Sequence, residues 1–267
     1  MTLVQPDFAY VRNPPNFGPL GGERASAREA PGRPDEGVVL RVLGREVALT
    51  EDEYALVRRF SVFRGGIPAG RAFWRDGEAV SARIIISGWA CRQRCLPDGR
   101  RQIFGFLIPG DTVGLCAEHR PLDQVSTVAL TRVECMDALL LREILATHDV
   151  RHARLEAALS AARRHEDAWL LDHIVRLGRQ SALERSAHLF LELSDRCAAA
   201  GLDDGDRFPL PLTQEVLADA LGLSIVHLNR TLQQMRHGGL IEFRAGWLTI
   251  LNRTRLEAIA DFGPHDS

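Results

Sequence analysis

The sequence predicts an α+β protein with an N-terminal antiparallel β domain, a long helix and a C-terminal winged helix-turn-helix. Three features predict it: turn signals roughly every ten residues between 67 and 136, the near absence of glycine and proline from 139 to 200, and two short capped helices around Gly222. The expected parts are an arm (1–37), the β domain (38–148), dimerisation and linker helices (149–200) and the winged helix-turn-helix domain (201–267).

Length and composition limit the class of protein. The chain has 267 residues, of which 45% are hydrophobic, enough for two domains with their own cores. Its 33 basic residues are all arginine and, with 35 acidic residues, give a net charge of -2, so total charge alone does not indicate nucleic-acid binding. Without a signal-peptide pattern or an apolar run of about eighteen residues, the chain is expected in the cytoplasm, with no membrane span.

The arm and the start of the β domain differ in composition. Residues 1–37 hold six prolines and little apolar surface to offset the entropy of ordering, which predicts a flexible arm. Ordered structure is expected from about Val38. Thr50 and Glu53 have the spacing of a capping box, which predicts a short helix ending near Phe60.

The β domain is predicted from short runs of β-prone residues between turn signals. Runs at 83–86 and 102–108 are bounded by glycine, proline and aspartate at 87–88, 97–99 and 109–111. This pattern predicts a small antiparallel sandwich or barrel.

A long helix is predicted from about Leu139 onward. Its apolar residues fall at spacings of three and four, and Glu166 and His173 occupy intervening positions of the same face. We predict that this face forms a dimer seam; the alternative is that it packs on the β domain of its own chain. Gly178 is expected to separate this helix from a second one at 181–199. The predicted seam residues are Leu155, Leu159, Ala162 and Trp169.

The last domain carries the clearest functional pattern. Thr213 and Ser224 are good N-caps for two short helices, and Gly222 allows the tight turn of a helix-turn-helix between them. On the second helix, Leu228, Leu232 and Met235 share one face and should pack inward.

The opposite face of that helix favours contact with DNA. Arginine and glutamine there can make bidentate contacts to guanine and adenine edges, and residues 221–241 contain no carboxylate that would repel phosphate. A hairpin turned at Ala245-Gly246 would form a wing. The alternative is an amphipathic helix pair with no DNA role. The candidate DNA-binding residues are Thr213, Ser224, Val226, His227, Asn229, Arg230, Gln233 and Arg244.

Two segments in this order resemble one family. Residues 212–224, 228–232 and 239–241 resemble the C-terminal domain of Crp/Fnr transcription regulators, and 96–111 resembles their N-terminal β-roll, a cyclic-nucleotide-binding-like jelly roll. The resemblance implies a bacterial homodimer that binds a palindromic operator in double-stranded DNA and alters recruitment of RNA polymerase. Arg230 matches the family's base-contacting arginine, whereas Val226 stands where members often have glutamate, which implies a different site preference.

The signal that the β-roll would sense is left open by the sequence. Cyclic-nucleotide-binding members have a Gly-Glu pair and an arginine for the phosphate, but here Leu115 follows Gly114 and Asp123 or Gln124 lies near the arginine position, with Arg120 as a possible substitute if the loop shifts. The resemblance therefore argues against cyclic nucleotide binding in this chain.

No metal site, cofactor or catalytic group is predicted. The iron-sulfur members use clustered N-terminal cysteines, and none precedes Cys91; Cys91 and Cys95 are expected to be buried structural thiols, and Cys116 with His119 is a loose pair for metal or haem. The odd cysteine count argues against a disulfide framework. Two alternatives to a plain DNA-binding regulator stay open: a ligand-binding signalling module that acts through a protein partner, and a haem-based or metal-based redox sensor that regulates transcription.

Overall fold

The computed structural model describes residues 37–59, 63–74, 81–115 and 125–263. The predicted arm lies almost entirely outside these ranges, as do Cys116, His119, Arg120, Asp123 and Gln124. The helices are α1 (Gly37–Leu43), α2 (Glu51–Arg59), α3 (Leu139–Thr147), α4 (Ala153–Arg179), α5 (Ala182–Ala200), α6 (Gln214–Leu221), α7 (Ile225–His237) and α8 (Arg253–Ala260). The strands are β1 (Phe63–Ile67), β2 (Arg83–Ser87), β3 (Ala90–Cys95), β4 (Arg101–Leu107), β5 (Thr112–Val113), β6 (Ser126–Ala129), β7 (Val133–Asp137), β8 (Arg207–Pro209), β9 (Ile241–Arg244) and β10 (Trp247–Ile250).

The N-terminal β domain consists of two antiparallel sheets. Their strand orders are β1-β7-β2-β5 and β4-β3-β6. One buried cluster takes side chains from both sheets, including Ile85 and Val133 from the first and Ala90 and Leu107 from the second. The turn-rich pattern of the sequence is therefore confirmed as an antiparallel β-roll of two layers.

Helices cover the outer face of the first sheet. Val39 on α1, Val57 on α2 and Leu141 on α3 pack in one buried cluster with Ile84 of β2 and with Leu155 of α4. The first half of α4 is thus part of the core of its own subunit.

The predicted capping box at the start of α2 is confirmed. The Thr50 amide donates to Glu53 Oε2 at 2.8 Å, and the Glu53 amide donates to Thr50 Oγ1 at 3.2 Å. Glu53 is 1% exposed, and its Oε1 accepts a hydrogen bond from the Leu155 amide at 2.9 Å, so the same carboxylate also satisfies a free amide in the first turn of α4.

The sequence predicts a break between the two helices at Gly178, but the break lies two residues later, at Gln180. α4 continues through Gly178 to Arg179, over 27 residues, or about 40 Å at the rise of an α-helix. Gln180 is extended, and Ser181 with Glu184 forms a second capping box that starts α5. One glycine costs only about 1 kcal/mol in a helix, which is too little to end α4 at Gly178. The capping box of Ser181 and Glu184 sets the boundary between the two helices instead.

The C-terminal domain is a three-stranded sheet, in the order β8-β10-β9, with four helices around it. α5 packs against α7 and α8, and Phe190 of α5 shares a buried cluster with Leu217, Leu228 and Leu248. The packing groups α5 with this domain, and not with dimerisation and linker helices as the sequence predicted for 149–200. Among the helices described, none is long and apolar enough to span a bilayer.

Candidate nucleic-acid interface

α6 is held at both ends as the sequence predicted. Thr213 Oγ1 accepts from the Val216 amide at 3.2 Å, which makes Thr213 the N-cap. At the other end Gly222 has φ of 62°, a left-handed conformation that glycine adopts without strain. Arg185 also donates to the Leu221 carbonyl at 2.9 Å, a capping contact that the sequence pattern did not indicate.

α7 starts at Ser224 and buries the predicted face. Ser224 Oγ accepts from the His227 amide at 3.2 Å. Leu228, Leu232 and Met235 are buried in the core of the C-terminal domain, next to α6 and the sheet. Their burial fixes the rotation of α7 about its axis, so the opposite face must point away from the domain.

That opposite face is exposed to solvent. We call it the α7 ridge: Val226, His227, Arg230, Gln233 and His237. Val226, near its start, is 63% exposed, whereas Asn229 beside it is half-buried. The structure therefore presents long hydrogen-bonding side chains along one side of a helix of 13 residues, the length and shape that fit a major groove.

The predicted wing is present beside α7. β9 and β10 pair in antiparallel register, and Ala245 and Gly246 turn the hairpin with φ of 51° and 82°. Arg244, at the end of β9, is exposed. Arg255 of α8, which no sequence signal indicated, donates to the Gly238 carbonyl at 3.1 Å and adds a cation at the end of α7.

Charge near the ridge favours a polyanion. α7 itself carries no carboxylate, and the exposed arginines Arg236 and Arg244 lie on α7 and the wing. The acidic residues of α6 and β9 are Glu215 and Glu242, which are exposed, and Asp219, whose carboxylate is bound by Arg101. This distribution leaves cations on the helix and wing that would contact phosphates.

The predicted dimer seam is corrected by the packing of α4. Leu155 and Leu159 are 0% and 3% exposed, inside the cluster that α1 and α2 form with the first sheet, so they have no free surface for a partner. Trp169 is half-buried, with the Arg196 guanidinium 4.0 Å from its ring centre, and Ala162 is also half-buried. Leu155 and Leu159 therefore follow the alternative that the sequence left open and pack within their own chain, whereas the dimer role of Ala162 and Trp169 stays a prediction.

A different apolar face of α4 is exposed. It comprises Leu170, Leu171, Ile174 and Val175, with exposed fractions of 45%, 63%, 58% and 53%. Four large apolar side chains in two adjacent turns form a contiguous patch, unlike the isolated exposed leucines common on any surface. This patch lies on a different face of α4 from the one that the spacing of Leu155 and Leu159 predicted as a dimer seam.

The polar positions of the predicted seam also turn inward. Glu166 accepts from Arg92 at 3.0 Å and from Thr112 at 3.3 Å, both in the β domain. Burial raises the pKa of Glu166, and Arg92 partly opposes this shift. His173 lies 3.5 Å from Gln102 of β4. Burial, helped by the charge of Arg176, lowers the pKa of His173 to about 4.

A buried chain of charges joins α4, α5 and the β domain. Arg176 on α4 contacts Glu192 on α5 at 2.6 Å, Glu192 contacts Arg196 at 3.1 Å, and Arg196 contacts Asp111 at 2.6 Å. Burial pushes the pKa of Glu192 upward, but the two arginines hold it below its ordinary value. Removing one member would leave an uncompensated buried charge, so these contacts fix the arrangement of the three elements.

The described cysteines do not form a site. Cys91 is buried, and burial raises its pKa to about 12, as it does for Cys197. Cys95 is exposed, which corrects the expectation that both Cys91 and Cys95 are buried. Within the described residues, no group of three or more histidine, cysteine or acidic side chains could hold a metal ion.

Comparison with known proteins matches both domains. The family model described as Crp-like helix-turn-helix domain matches residues 184–259, and the model described as Cyclic nucleotide-binding domain matches residues 66–142. The first match begins within α5, in agreement with the packing of that helix.

Known regulators are similar to this chain over most of their length. The nitrogen fixation regulation protein FixK of Bradyrhizobium diazoefficiens is 33% identical over 189 residues, which cover 70% of this chain and 77% of FixK. The transcriptional activatory protein AadR of Rhodopseudomonas palustris is 30% identical over 206 residues, 72% of this chain and 79% of AadR. The solved structure of FixK2 from Bradyrhizobium japonicum superposes with a TM-score of 0.61 at 28% identity, over 74% of this chain and 97% of that one.

Proposed function

We propose that this chain, which belongs to the Crp/Fnr family of DNA-binding transcription regulators, binds a palindromic operator as a homodimer and places the α7 ridge in the major groove. One observation carries the proposal. The ridge is exposed, lacks carboxylates and has Arg230 at its middle, on a helix whose rotation the core fixes. Arginine makes the commonest specific contact in such interfaces, to guanine O6 and N7.

The other DNA-binding residues have separate roles in this proposal. Gln233 and Val226 contact base edges, glutamine an adenine and valine a thymine methyl group. Thr213 and Ser224, at the starts of α6 and α7, and Arg244 on the wing contact phosphates and so set the register on the duplex.

The homodimer uses the exposed apolar face of α4. Pairing two copies of Leu170, Leu171, Ile174 and Val175 would remove this patch from water and bring the two C-terminal domains to one side of the dimer. A signal received in the β domain then changes how the bound dimer recruits RNA polymerase in the cytoplasm. The proposal includes no catalytic step.

The test starts by selecting bound sequences from a random duplex pool. On the selected operator, Arg230→Ala should cost about 1 to 3 kcal/mol and relax preference at one symmetric pair of positions. Arg236→Ala is the matched control, since it removes an exposed arginine from the same helix outside the ridge. It should weaken binding to all duplexes alike.

Two results would contradict the proposal at different levels. An unchanged base preference in Arg230→Ala would remove the assigned role of Arg230. Wild-type protein whose affinity for duplex DNA did not fall steeply as salt is raised would contradict DNA binding itself, because counterion release accompanies phosphate contacts.

A further inference from the structure

The C-terminal domain is packed on the β domain through α6 and β4. Leu217 and Leu221 of α6 belong to the same buried cluster as Ile103 and Phe106 of β4. We call this contact the α6–β4 interface. The α7 ridge stays exposed while the interface is formed, so the contact does not compete with DNA for the same side chains.

An ion pair lies in the α6–β4 interface. Arg101 of β4 donates to Asp219 Oδ2 of α6 through Nε at 2.8 Å and through Nη2 at 2.5 Å. The side chains are 6% and 25% exposed, so the pair is largely shielded from water. Arg101 Nη1 also donates to Gln93 Oε1 at 3.4 Å, which holds the guanidinium against β3.

The backbone of Asp219 is bound as well. Gln102 Nε2 donates to the Asp219 carbonyl at 3.0 Å, and the same amide lies 3.5 Å from His173 of α4. One residue of α6 is therefore held by two consecutive residues of β4, next to the long helix. A separate ion pair between Arg196 of α5 and Asp111 also joins the C-terminal domain to the β domain.

This arrangement has two consequences for DNA binding. A dimer on a palindrome must present its two recognition helices one turn of DNA apart, about 34 to 36 Å, and a rigid attachment of each helix lowers the entropy lost on binding. Arg101 also neutralises a carboxylate in the helix next to α7, which would otherwise repel phosphate. Both effects act on α7 without a direct contact to it.

We propose that Arg101 and Asp219 are positioning residues for DNA recognition, whose ion pair sets the orientation of the helix-turn-helix relative to the β domain and so the spacing of operator half-sites. The inference rests on the proposed function. Neither residue touches DNA; they act through α6.

Two substitutions on α6 separate positioning from simple charge. Asp219→Asn and Glu215→Gln each remove one negative charge from the same helix, but Glu215 is exposed whereas Asp219 is bound to Arg101. Loss of charge alone would tighten DNA binding in both variants. The proposal instead expects Asp219→Asn to bind the selected operator about tenfold more weakly, within the usual range for coupling between sites, and Glu215→Gln to bind at least as tightly as wild type.

The dependence of affinity on half-site spacing separates a positioning role from a general loss of stability. A destabilised protein would bind more weakly at every spacing, without a change in the shape of the profile. Wild-type affinity should peak at one spacing, and Asp219→Asn should show a flatter profile when base pairs are inserted or removed at the centre. Arg101→Met should have the same flattened profile, and the double variant should be no weaker than the weaker single variant, because both remove one interaction. Circular dichroism and the melting temperature confirm that each variant folds.

The outcomes distinguish this inference from the proposed function. If wild type binds its operator and Asp219→Asn binds with equal affinity and the same spacing profile, the ion pair has no positioning role and the inference is wrong. If Asp219→Asn and Glu215→Gln both tighten binding to the operator, the loss of charge alone explains the effect of Asp219→Asn, and the inference is also wrong. If wild type binds no duplex, the proposed function fails before either variant is compared.

Discussion

The two halves of α4 have the same apolar character and opposite environments. In the first half, Leu155 and Leu159 are buried by α1, α2 and the first sheet. In the second half, Leu171 and Ile174 are more than half exposed. An apolar rhythm thus identifies a helix and the face that avoids water, but the neighbouring elements decide whether that face meets its own subunit or another copy.

In the second half of α4, apolar side chains are exposed on one side of the helix and polar side chains are buried on the other. His173 and Arg176 are 6% and 4% exposed and face β4 and α5, while Ile174 and Val175 between them point to solvent. The polar residues join domains within the chain, which leaves the apolar ones exposed for the proposed dimer contact.

The largest expected effect on folding is in the first half of α4. Leu155→Ala should lower the free energy of unfolding by about 4 kcal/mol, because a fully buried leucine loses its contacts and leaves a cavity. Leu171→Ala is the matched control in the second half and should change it by less than about 1 kcal/mol in the monomer. Urea unfolding of both variants measures the difference. If the two variants were destabilised equally, the first half of α4 would be no more buried in its own subunit than the second half.

A smaller effect is expected from the pH dependence of His173. Its folded pKa of about 4 lies below the ordinary value of about 6.5, so only the unfolded chain gains this proton as pH falls from 6.5 toward 4. Stability should therefore fall over this range by up to about 3 kcal/mol, with full stability above pH 6.5.

The contribution of His173 is isolated by substitution. Urea unfolding at pH 7 and pH 4.5 should show that His173→Gln loses less stability on acidification than wild type. If His173→Gln lost as much stability on acidification as wild type, the charge of His173 would not limit folding at low pH.

The smallest change in subunit stability is expected at the exposed face. Ile174→Asp should alter the monomer's unfolding free energy by less than about 1 kcal/mol, yet place a charge in the proposed dimer contact. Analytical ultracentrifugation should show monomer where wild type is dimeric, with operator affinity lost. A dimeric Ile174→Asp variant would show that another surface forms the dimer.

The local parts of the fold were predictable from sequence because their signals lie within a few residues. Thr50 with Glu53, Thr213 and Ser224 each cap the helix expected, and Ala245-Gly246 turns the wing. The inward and outward faces of α7 also follow from spacing alone.

Features that depend on contacts between distant segments were missed. The spacing of Leu155 and Leu159 does not reveal that α1, more than 100 residues earlier in the chain, covers them. Likewise Asp219 is an ordinary helical carboxylate in the sequence, and its role depends on Arg101, 118 positions away. Cys95 was misplaced because burial at the end of a strand depends on what packs there.

Glu53 has a further consequence for dividing the chain into fragments. Its carboxylate accepts a hydrogen bond from one backbone amide at the start of α2 and from one in the first turn of α4, although the two helices start about 100 residues apart. A fragment made to isolate α4 and the C-terminal domain would omit this residue and expose Leu155 and Leu159 to water. The long helix therefore cannot serve as a separable spacer; its first turns exist as part of the β domain, and a shortened protein should retain everything from α1 onward.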